Sequence, residues 1–279
     1  MNNYGTQCVD TLRKTASLLR KDVLEMIYDV KDGHPGPAYS AAEILTALYF
    51  GGILNVRPDS PTWEYRDRFV LSKGHACPLL YAALMRRGYF SEKEKYSLRK
   101  INSRLQGHPD MVKTPGIDAT TGPLGNGLAM GVGMAWALKH QKKTSRVFVL
   151  AGDGELQEGI VWEALHVATK YSLDNLYIFI DHNKRQSGGQ VSDVSGILPL
   201  MEKFEAFRLS CREIDGHNFK EIFSAIRESE AETRPSVIIC NTIKGKGIDY
   251  MEDDNSWHKR VPTEAEFING IRQLEGNNR

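Results

Sequence analysis

The stretches 147-VFVLAGDGE-155 and 176-LYIFIDHN-183 decide the fold. In each, a continuous apolar run passes directly into glycine, aspartate or asparagine. Such runs are typical of strands buried on both faces of a parallel sheet, so we predict strands at 147–150 and 176–180. The apolar run VIIC at 237–240 predicts a further strand of the same kind.

Helical patterns flank these strands. Apolar residues recur at three- and four-residue steps over residues 6–30, 157–171, 199–209 and 218–232. Strands alternating with helices of this length indicate βαβ units. We therefore predict an α/β fold with a doubly wound, mostly parallel sheet and helices on both faces. Since no internal repeat or low-complexity linker is present, a single domain over residues 1–279 is expected.

The amino-terminal part contains several structure breakers. Asp32-Gly33 ends the first helix, and His34-Pro35-Gly36-Pro37 predicts a stiff loop. Ser40 is expected to cap the next helix, with Glu43 completing a capping box. Residues 51–125 are expected to be mostly irregular, with one or two helices.

Composition narrows the class of protein. With 36 basic and 35 acidic residues and no long block of one sign, the chain lacks the basic stripe of nucleic-acid or membrane-surface proteins. It has no secretory signal pattern and no apolar run long enough to span a bilayer. The four widely spaced cysteines form no C-x-x-C pair, which favours small core hydrophobes in a reduced, cytoplasmic protein.

The strongest local motif is Gly152-Asp153-Gly154-Glu155, followed after the second strand by Asn183. Asp153 and the Asn183 amide oxygen are hard ligands suited to a Mg²⁺ ion that shares a diphosphate. Gly154 allows close approach of the backbone to phosphate near the start of a helix. Either piece alone is more often an ordinary turn or cap, but the ordered pair is more specific.

A second motif, TGPLGNG at 121–127, runs into a helix rich in glycine and alanine. It fails the dinucleotide fingerprint because Met130 occupies the third glycine position. Gly131 and Gly133 are expected to allow close helix packing.

Histidines form a third signal, because imidazoles donate to phosphate or sugar oxygens and move protons near neutral pH. Those beside glycine, proline or a helix start are His34, His75, His108 and His258. The others are expected to be solvated, namely His140, His166, His182 and His217. Their spacing does not match a zinc site.

Taken together, these segments resemble the amino-terminal part of transketolases over almost the whole chain. The matching segments, in the family's order, are GHPGPAYSAAEI, YRDRFVLSKGHACPLLYAAL, QGHPD, TTGPLGNGLAMGVGMAWAL, GDGELQEGIVWEA, DHN and KGKG…WH. Other thiamine-diphosphate enzymes share the GDG…N element but lack the GHP loops. The resemblance implies the diphosphate-binding domain of the thiamine-diphosphate-binding fold.

The resemblance also implies a cofactor, thiamine diphosphate, held with Mg²⁺, or with Ca²⁺ or Mn²⁺ in its place. The metal ligands would be the Asp153 and Asn183 side chains and the backbone carbonyl of Arg185. Gly154 would bind the diphosphate through its N–H.

Further roles follow from the same resemblance. His75 and His258 would contact the diphosphate, and His34, His108 and His258 would face the sugar, so these four histidines are the expected catalytic residues. The residues expected along the cofactor's rings and at the subunit interface are Gly122, Leu124 and Glu158. Glu158 and Glu163 match a carboxylate cluster at that interface.

Two departures from the family pattern stand out. At 184–189 the chain reads KRQSGG, so Ser187 and Gly188 replace the usual apolar residue and aspartate. The metal site is expected to survive this change, whereas the cofactor wall is expected to differ. The chain also has 279 residues, while usual transketolases are more than twice as long. A carboxyl-terminal transketolase subunit is therefore the expected partner, in a two-plus-two heterotetramer.

The predicted function is that of the amino-terminal subunit of a transketolase, which moves a two-carbon ketol group from a ketose to an aldose. Its substrates would be sugars or sugar phosphates. Alternatives are half of a 2-oxoacid decarboxylase or dehydrogenase, half of a deoxyxylulose-phosphate synthase type of enzyme, and a non-catalytic subunit that holds the cofactor. The sequence names neither the donor nor the acceptor sugar.

Overall fold

A computed structural model describes residues 7–276. Its main sheet has five parallel strands in the order β1-β2-β3-β7-β6. These strands are Arg68–Leu71 (β1), Val147–Gly152 (β2), Leu176–His182 (β3), Ser210–Asp215 (β6) and Ser236–Asn241 (β7). A separate antiparallel hairpin joins Arg185–Gln186 (β4) to Gly189–Gln190 (β5).

Ten α-helices accompany these strands in the described part of the chain. They are Val9–Val30 (α1), Pro35–Tyr39 (α2), Ala42–Phe50 (α3), Cys77–Arg87 (α4), Asn126–His140 (α5), Gly159–Lys170 (α6), Val191–Val194 (α7), Leu200–Ala206 (α8), Phe219–Ser229 (α9) and Glu264–Gly276 (α10). Short 3-10 turns lie at Gly74–Ala76, Glu92–Ser97, Gly154–Gln157 and Asn255–His258. Within residues 7–276, no helix is both long and apolar enough to cross a bilayer.

The sheet is covered on both faces, because side chains along a strand point alternately to opposite sides. Phe148 and Leu150 of β2 pack in the core that contains α1, α3 and α4. Val147 and Val149 of the same strand pack in the second core, against α5 and α6. This arrangement confirms the predicted α/β fold with a doubly wound parallel sheet.

The three predicted strands are confirmed, each two residues longer than predicted, but the other four strands, β1, β4, β5 and β6, were missed. β1 has only four residues and lies in the segment expected to be irregular. β6, with the sequence SCREID, is an edge strand whose polar side chains remain partly exposed, so it shows no apolar run. The helix predicted at 6–30 begins at Val9; residue 6 lies outside the described residues.

Two predictions about the segment after α1 are wrong. Residues 34–37 are not a stiff loop, because α2 begins at Pro35, where proline's missing N–H costs nothing at a helix start. Ser40 does not cap α3, which begins at Ala42; its hydroxyl donates to the Asp181 carboxylate at 2.5 Å. Glu43 accepts two hydrogen bonds from Arg20 instead of completing a capping box.

The cysteine prediction is correct in part. All four are free thiols, and Cys77 and Cys240 are buried in the core as expected. Cys8 is exposed and does not act as a core hydrophobe, whereas the half-buried Cys211 packs against the second core.

Of the glycines in α5, Gly131 packs closely against the sheet and Gly133 does not. A β-carbon on Gly131 would lie 2.4 Å from Val149 Cγ2, whereas one on Gly133 would have nothing within 4 Å. The packing prediction therefore fits Gly131 and is wrong for Gly133.

We predict opposite effects for the two alanine substitutions. Gly131→Ala should lower the free energy of unfolding by roughly 1–3 kcal/mol, because it overpacks the contact between α5 and β2. Gly133→Ala should raise it by up to about 1 kcal/mol, because alanine favours an exposed helix interior. Urea denaturation of both variants checks this, and equal shifts for the two variants would contradict the packing assignment.

Candidate active site

A cleft lies at the carboxyl-terminal edge of the sheet, where β1, β2, β3 and β7 pass into loops. Because parallel strands end at the same edge, residues distant in sequence meet there. Residues lining the cleft include Lys73, His75, Gly122, Leu124, Asp153, Gly154, Asn183, Arg185 and His258. Most of the predicted site residues are therefore brought together.

Asp153 lines the cleft and is nearly fully buried. Its Oδ1 accepts the Gly154 N–H at 2.8 Å, and its Oδ2 accepts the Lys184 N–H at 2.6 Å. The Nδ1 of His182 lies 3.0 Å from the same Oδ2. These contacts fix the carboxylate at the start of a 3-10 turn.

The orientation of Asn183 is set by a buried neighbour, Asp181. The Asn183 Nδ2 donates to Asp181 Oδ2 at 3.1 Å, so its Oδ1 lies on the opposite side and accepts the Arg185 N–H at 3.1 Å. Asp181 also accepts hydrogen bonds from Lys73 Nζ and the Thr242 hydroxyl. This fully buried carboxylate therefore holds donors from several strand ends around the cleft.

Three imidazoles form a triangle over the cleft. The ring centroids of His34, His75 and His258 are 5.3–5.5 Å apart. Burial lowers the pKa of His75 to about 2, assisted by Lys73, and the pKa of His258 to about 3, assisted by Lys244. Burial likewise lowers the pKa of His34 to about 4. All three rings are neutral at physiological pH and can both donate and accept hydrogen bonds.

Two buried lysines add positive charge. Lys73 pairs with Asp181, and Lys244 Nζ lies 3.1 Å from both Asn255 Oδ1 and His258 Nδ1. Burial, assisted by the Lys73 charge, lowers the pKa of Lys244 to about 8. Buried cations need a counter-charge, so this cluster suits an anionic ligand.

Three residues predicted for the site, His108, Glu158 and Glu163, do not line the cleft. His108 is exposed, with its ring 3.7 Å from the position of a β-carbon on Gly122; burial and Arg99 lower its pKa. Glu158 is exposed at the amino-terminal end of α6 and does not line the cleft. Glu163 lies on the outer face of α6, in an apolar groove. The roles of these residues remain predictions.

The atypical segment 184–190 covers one side of the cleft. Gln186 accepts a hydrogen bond from Gln157 at 2.6 Å, and a β-carbon on Gly154 would lie 2.9 Å from the Gln186 Oε1. Arg185 pairs with Asp253. Because glycine has no side chain, the turn at Gly154 can lie directly against this segment.

Two histidines expected to be solvated are not. His182 is buried against Asp153. His217 lies in the loop between β6 and α9. His217 Nδ1 lies 2.8 Å from Glu43 Oε2, and its Nε2 accepts the Ile243 N–H at 2.9 Å. His140 and His166 are exposed, as expected.

The donor set fits a metal-bound diphosphate. Among the described residues, no group of three or more His, Cys, Asp or Glu side chains could hold a metal ion. Asp153 and Asn183 supply two hard oxygens, so a cation would share the anion's oxygens as further ligands. The buried Nδ1 of His34 has no hydrogen-bond partner within residues 7–276. The two buried lysines supply the positive charge that would balance a bound diphosphate.

A sequence profile described as the thiamine diphosphate binding domain of transketolase matches residues 11–278. The chain belongs to the transketolase family.

Similar proteins divide into two groups by length. The chain is 41% identical to the 6-deoxy-6-sulfo-D-fructose transketolase subunit of Clostridium sp., over 95% of this chain and 96% of that protein. It is 39% identical to an apulose-4-phosphate transketolase subunit of Phocaeicola vulgatus, over 95% of this chain and 94% of that protein. Human transketolase is 40% identical over 90% of this chain but only 40% of its own length.

The fold is likewise that of transketolases. The solved structure of Campylobacter jejuni transketolase superposes with a TM-score of 0.92 at 33% identity. It covers 96% of this chain and 43% of that one. This transketolase chain is therefore an amino-terminal, thiamine-diphosphate-binding unit of the transketolase type.

Sequence reasoning missed Lys73, Lys244 and Asp181 as site residues. Both lysines lie inside segments already quoted, SKGHA and KGKG, beside glycines, and Lys73 is also two residues from His75. A lysine in such a glycine-rich loop at the end of a strand was the available signal. Asp181 offered a weaker one, since it directly precedes the His182-Asn183 pair.

The neutral histidines predict a pH-dependent stability. Unfolded His75 binds a proton below its ordinary pKa of about 6.5, but the folded ring does so only near pH 2. Its stabilisation is thus complete above pH 6.5 and is lost as the pH falls. Between about pH 5.5 and 4, the unfolding free energy should fall about 1.4 kcal/mol per pH unit more steeply in the wild type than in His75→Asn.

Urea denaturation across this pH range measures the two slopes. The exposed His140 offers a matched control, because His140→Asn should keep the wild-type slope. Parallel lines for the wild type and His75→Asn would show that the buried imidazole does take up a proton.

Proposed function

We propose that the chain is the amino-terminal subunit of a transketolase that moves a two-carbon ketol group from a ketose to an aldose. The observation that carries this proposal is the convergence of Asp153, Asn183, two buried lysines and three neutral histidines in one cleft. The chain overlaps almost completely with relatives named as transketolase subunits, which supports an enzyme divided between two separate chains. The comparisons favour transketolase over the 2-oxoacid and synthase alternatives.

The metal we propose is Mg²⁺, with Ca²⁺ or Mn²⁺ as substitutes. The Asp153 carboxylate, the Asn183 amide oxygen and the backbone carbonyl of Arg185 would hold it, together with the diphosphate. Hard oxygen donors of this kind match Mg²⁺ chemistry. The lysines Lys73 and Lys244 would balance the negative charge of the diphosphate.

When bound, thiamine diphosphate supplies the carbon–carbon bond chemistry, while the protein binds and orients the reactants. His75 and His258 would lie against the diphosphate, Gly122 and Leu124 against the rings. The unpaired Nδ1 of His34 offers a hydrogen-bond site for a sugar hydroxyl, and His108 would contribute from the mouth of the cleft. Neutral imidazoles suit this task because each can donate one hydrogen bond to a sugar oxygen and accept another from a hydroxyl.

The partner in this proposal is a carboxyl-terminal transketolase subunit that carries the pyrimidine-binding and carboxyl-terminal domains. Residues 1–279 then form one diphosphate-binding domain. Two copies of each chain, in a cytoplasmic heterotetramer, agree with the resemblance that places the cofactor at a subunit interface. Glu158 and Glu163 would join the carboxylate cluster at that interface.

An exposed apolar groove between α5 and α6 is the proposed binding site of the partner. Trp136, Val167 and Tyr171, which line it, are each 41–44% exposed. Contiguous apolar surface of this kind marks interaction sites. The groove also continues into the cleft, because a β-carbon on Gly125, next to Leu124, would meet Ile160 of the groove at 2.5 Å.

The substrates are proposed to be sugars or sugar phosphates. Two relatives carry names that specify an apulose phosphate and a sulfonated deoxyfructose. Both are acidic sugars, so an anionic ketose or aldose is the first substrate class to test.

The decisive assay measures ketol transfer from a ketose phosphate in the presence of thiamine diphosphate and Mg²⁺. We expect no activity from the chain alone and activity after mixing it with the carboxyl-terminal transketolase half from the same source. The reason is that the cleft holds the diphosphate side of the site only. Turnover by the chain alone, or tight cofactor binding with no turnover in the mixture, would contradict the proposal.

The proposed binding site of the partner is tested separately by the Val167→Glu variant, which places a charge in the groove. This variant should no longer form a complex with the partner half, as monitored by size-exclusion chromatography. The reason is that a buried charge without a counter-charge is costly. Ile268→Glu on α10 is the matched control, since Ile268 is similarly exposed at 43%. If both variants assemble equally well, the partner binds elsewhere.

A further inference from the structure

One buried carboxylate in the cleft has no part in the chemistry proposed above. Glu155 is 3% exposed, although it belongs to the cleft lining. Its Oε1 accepts the Gly125 N–H at 2.7 Å and the Ser72 hydroxyl, and its Oε2 accepts the Gly152 N–H at 3.0 Å. Burying a charged group in this way is costly unless its hydrogen bonds serve the structure.

The three donors belong to three separate segments. Ser72 follows β1, Gly125 directly precedes α5, and Gly152 ends β2. The Ser72 hydroxyl also accepts the Leu128 N–H at 2.9 Å, so its proton is available for Glu155. Because every partner is a donor, the acceptor-only carboxylate matches them all.

The segments around Glu155 leave little room for adjustment. A β-carbon on Gly127 would lie 2.6 Å from Ser72 Cα, so the backbones are in close contact. Gly125 has a φ of +80°, in the left-handed region that favours glycine. The glycine-rich loop is therefore held by its backbone, and the Gly125 N–H is one of its fixed points.

We infer that Glu155 is a positioning residue that sets the spacing between the two halves of the cofactor site. Gly122 and Leu124 lie on the loop that Glu155 holds through Gly125. Asp153 and Gly154 lie on the turn that Glu155 itself belongs to. The assignment of rings to the first pair and of diphosphate to the second rests on the proposed function.

The test compares Glu155→Gln with a matched control in the full-length chain. The glutamine side chain replaces one acceptor oxygen of the carboxylate by an NH₂ donor. This donor would face the N–H groups from which Glu155 accepts hydrogen bonds. Asp67 is a suitable control, because it is also 3% exposed and accepts the Arg146 and Asn55 N–H groups at 2.7 and 3.0 Å. It lies at the opposite end of β1 and β2, so Asp67→Asn perturbs the same sheet away from the cleft.

The first readout is hydrogen–deuterium exchange of residues 121–128, measured by mass spectrometry without any ligand. Glu155→Gln should speed exchange in this loop, while Asp67→Asn should not. If Glu155→Gln does not fold, Ser72→Ala replaces it, because that variant removes one donor to Glu155 and the acceptor of the Leu128 N–H. Unchanged exchange in the loop would overturn the inference.

The second readout separates positioning from general weakening of the site. In the complex with the partner subunit and with Mg²⁺, Glu155→Gln should raise the Kd of thiamine diphosphate roughly tenfold, the effect of losing one charge-assisted hydrogen bond. The Kd of inorganic pyrophosphate should change by less than about twofold, because that probe lacks the rings. Equal losses for both probes would overturn the inference. If the wild type binds neither probe, the proposed function fails, and the exchange experiment still decides the role of Glu155.

Discussion

The parallel pairing of β2 with β3 is the constraint on which the site depends. Their register places Gly152 opposite Asp181, so the residues that follow each strand emerge side by side. Asp153 and Asn183 are 30 positions apart in sequence, yet they face the same cleft. A shift of this register by one residue would turn the buried apolar side chains of both strands to the wrong faces. The same packing that stabilises the two cores therefore also positions the candidate metal ligands.

Charge balance is the second organising feature of the cleft. Asp181 holds Lys73 by a buried ion pair, whereas within residues 7–276 the hydrogen-bond partners of Lys244 are the neutral Asn255 and His258. Burial, assisted by the neighbouring lysines, lowers the pKa of His75 and of His258 and keeps both rings neutral. An anion bound in the cleft would complete this balance, which is why a diphosphate fits the site better than an uncharged ligand.

Much of the sheet and most of the site could be predicted from the sequence, for a physical reason. Strands buried on both faces, such as 176–180, leave a continuous apolar signal, and the glycine-rich turns that follow them mark the binding edge. The edge strand β6 and the four-residue β1 leave no such signal. The partners of Ser40, Glu43 and His217 were also missed, because these contacts join segments far apart in sequence. Local patterns do not encode which distant groups meet in a buried network.

The most direct test of the account is to locate the metal itself. Crystals of the chain with its partner, thiamine diphosphate and Mn²⁺ would give an anomalous signal at the metal position. The account predicts one strong peak within about 2.3 Å of a side-chain oxygen of Asp153 and of Asn183, next to the Arg185 carbonyl. A peak at another place, or a bound cofactor whose diphosphate lies away from these residues, would contradict it.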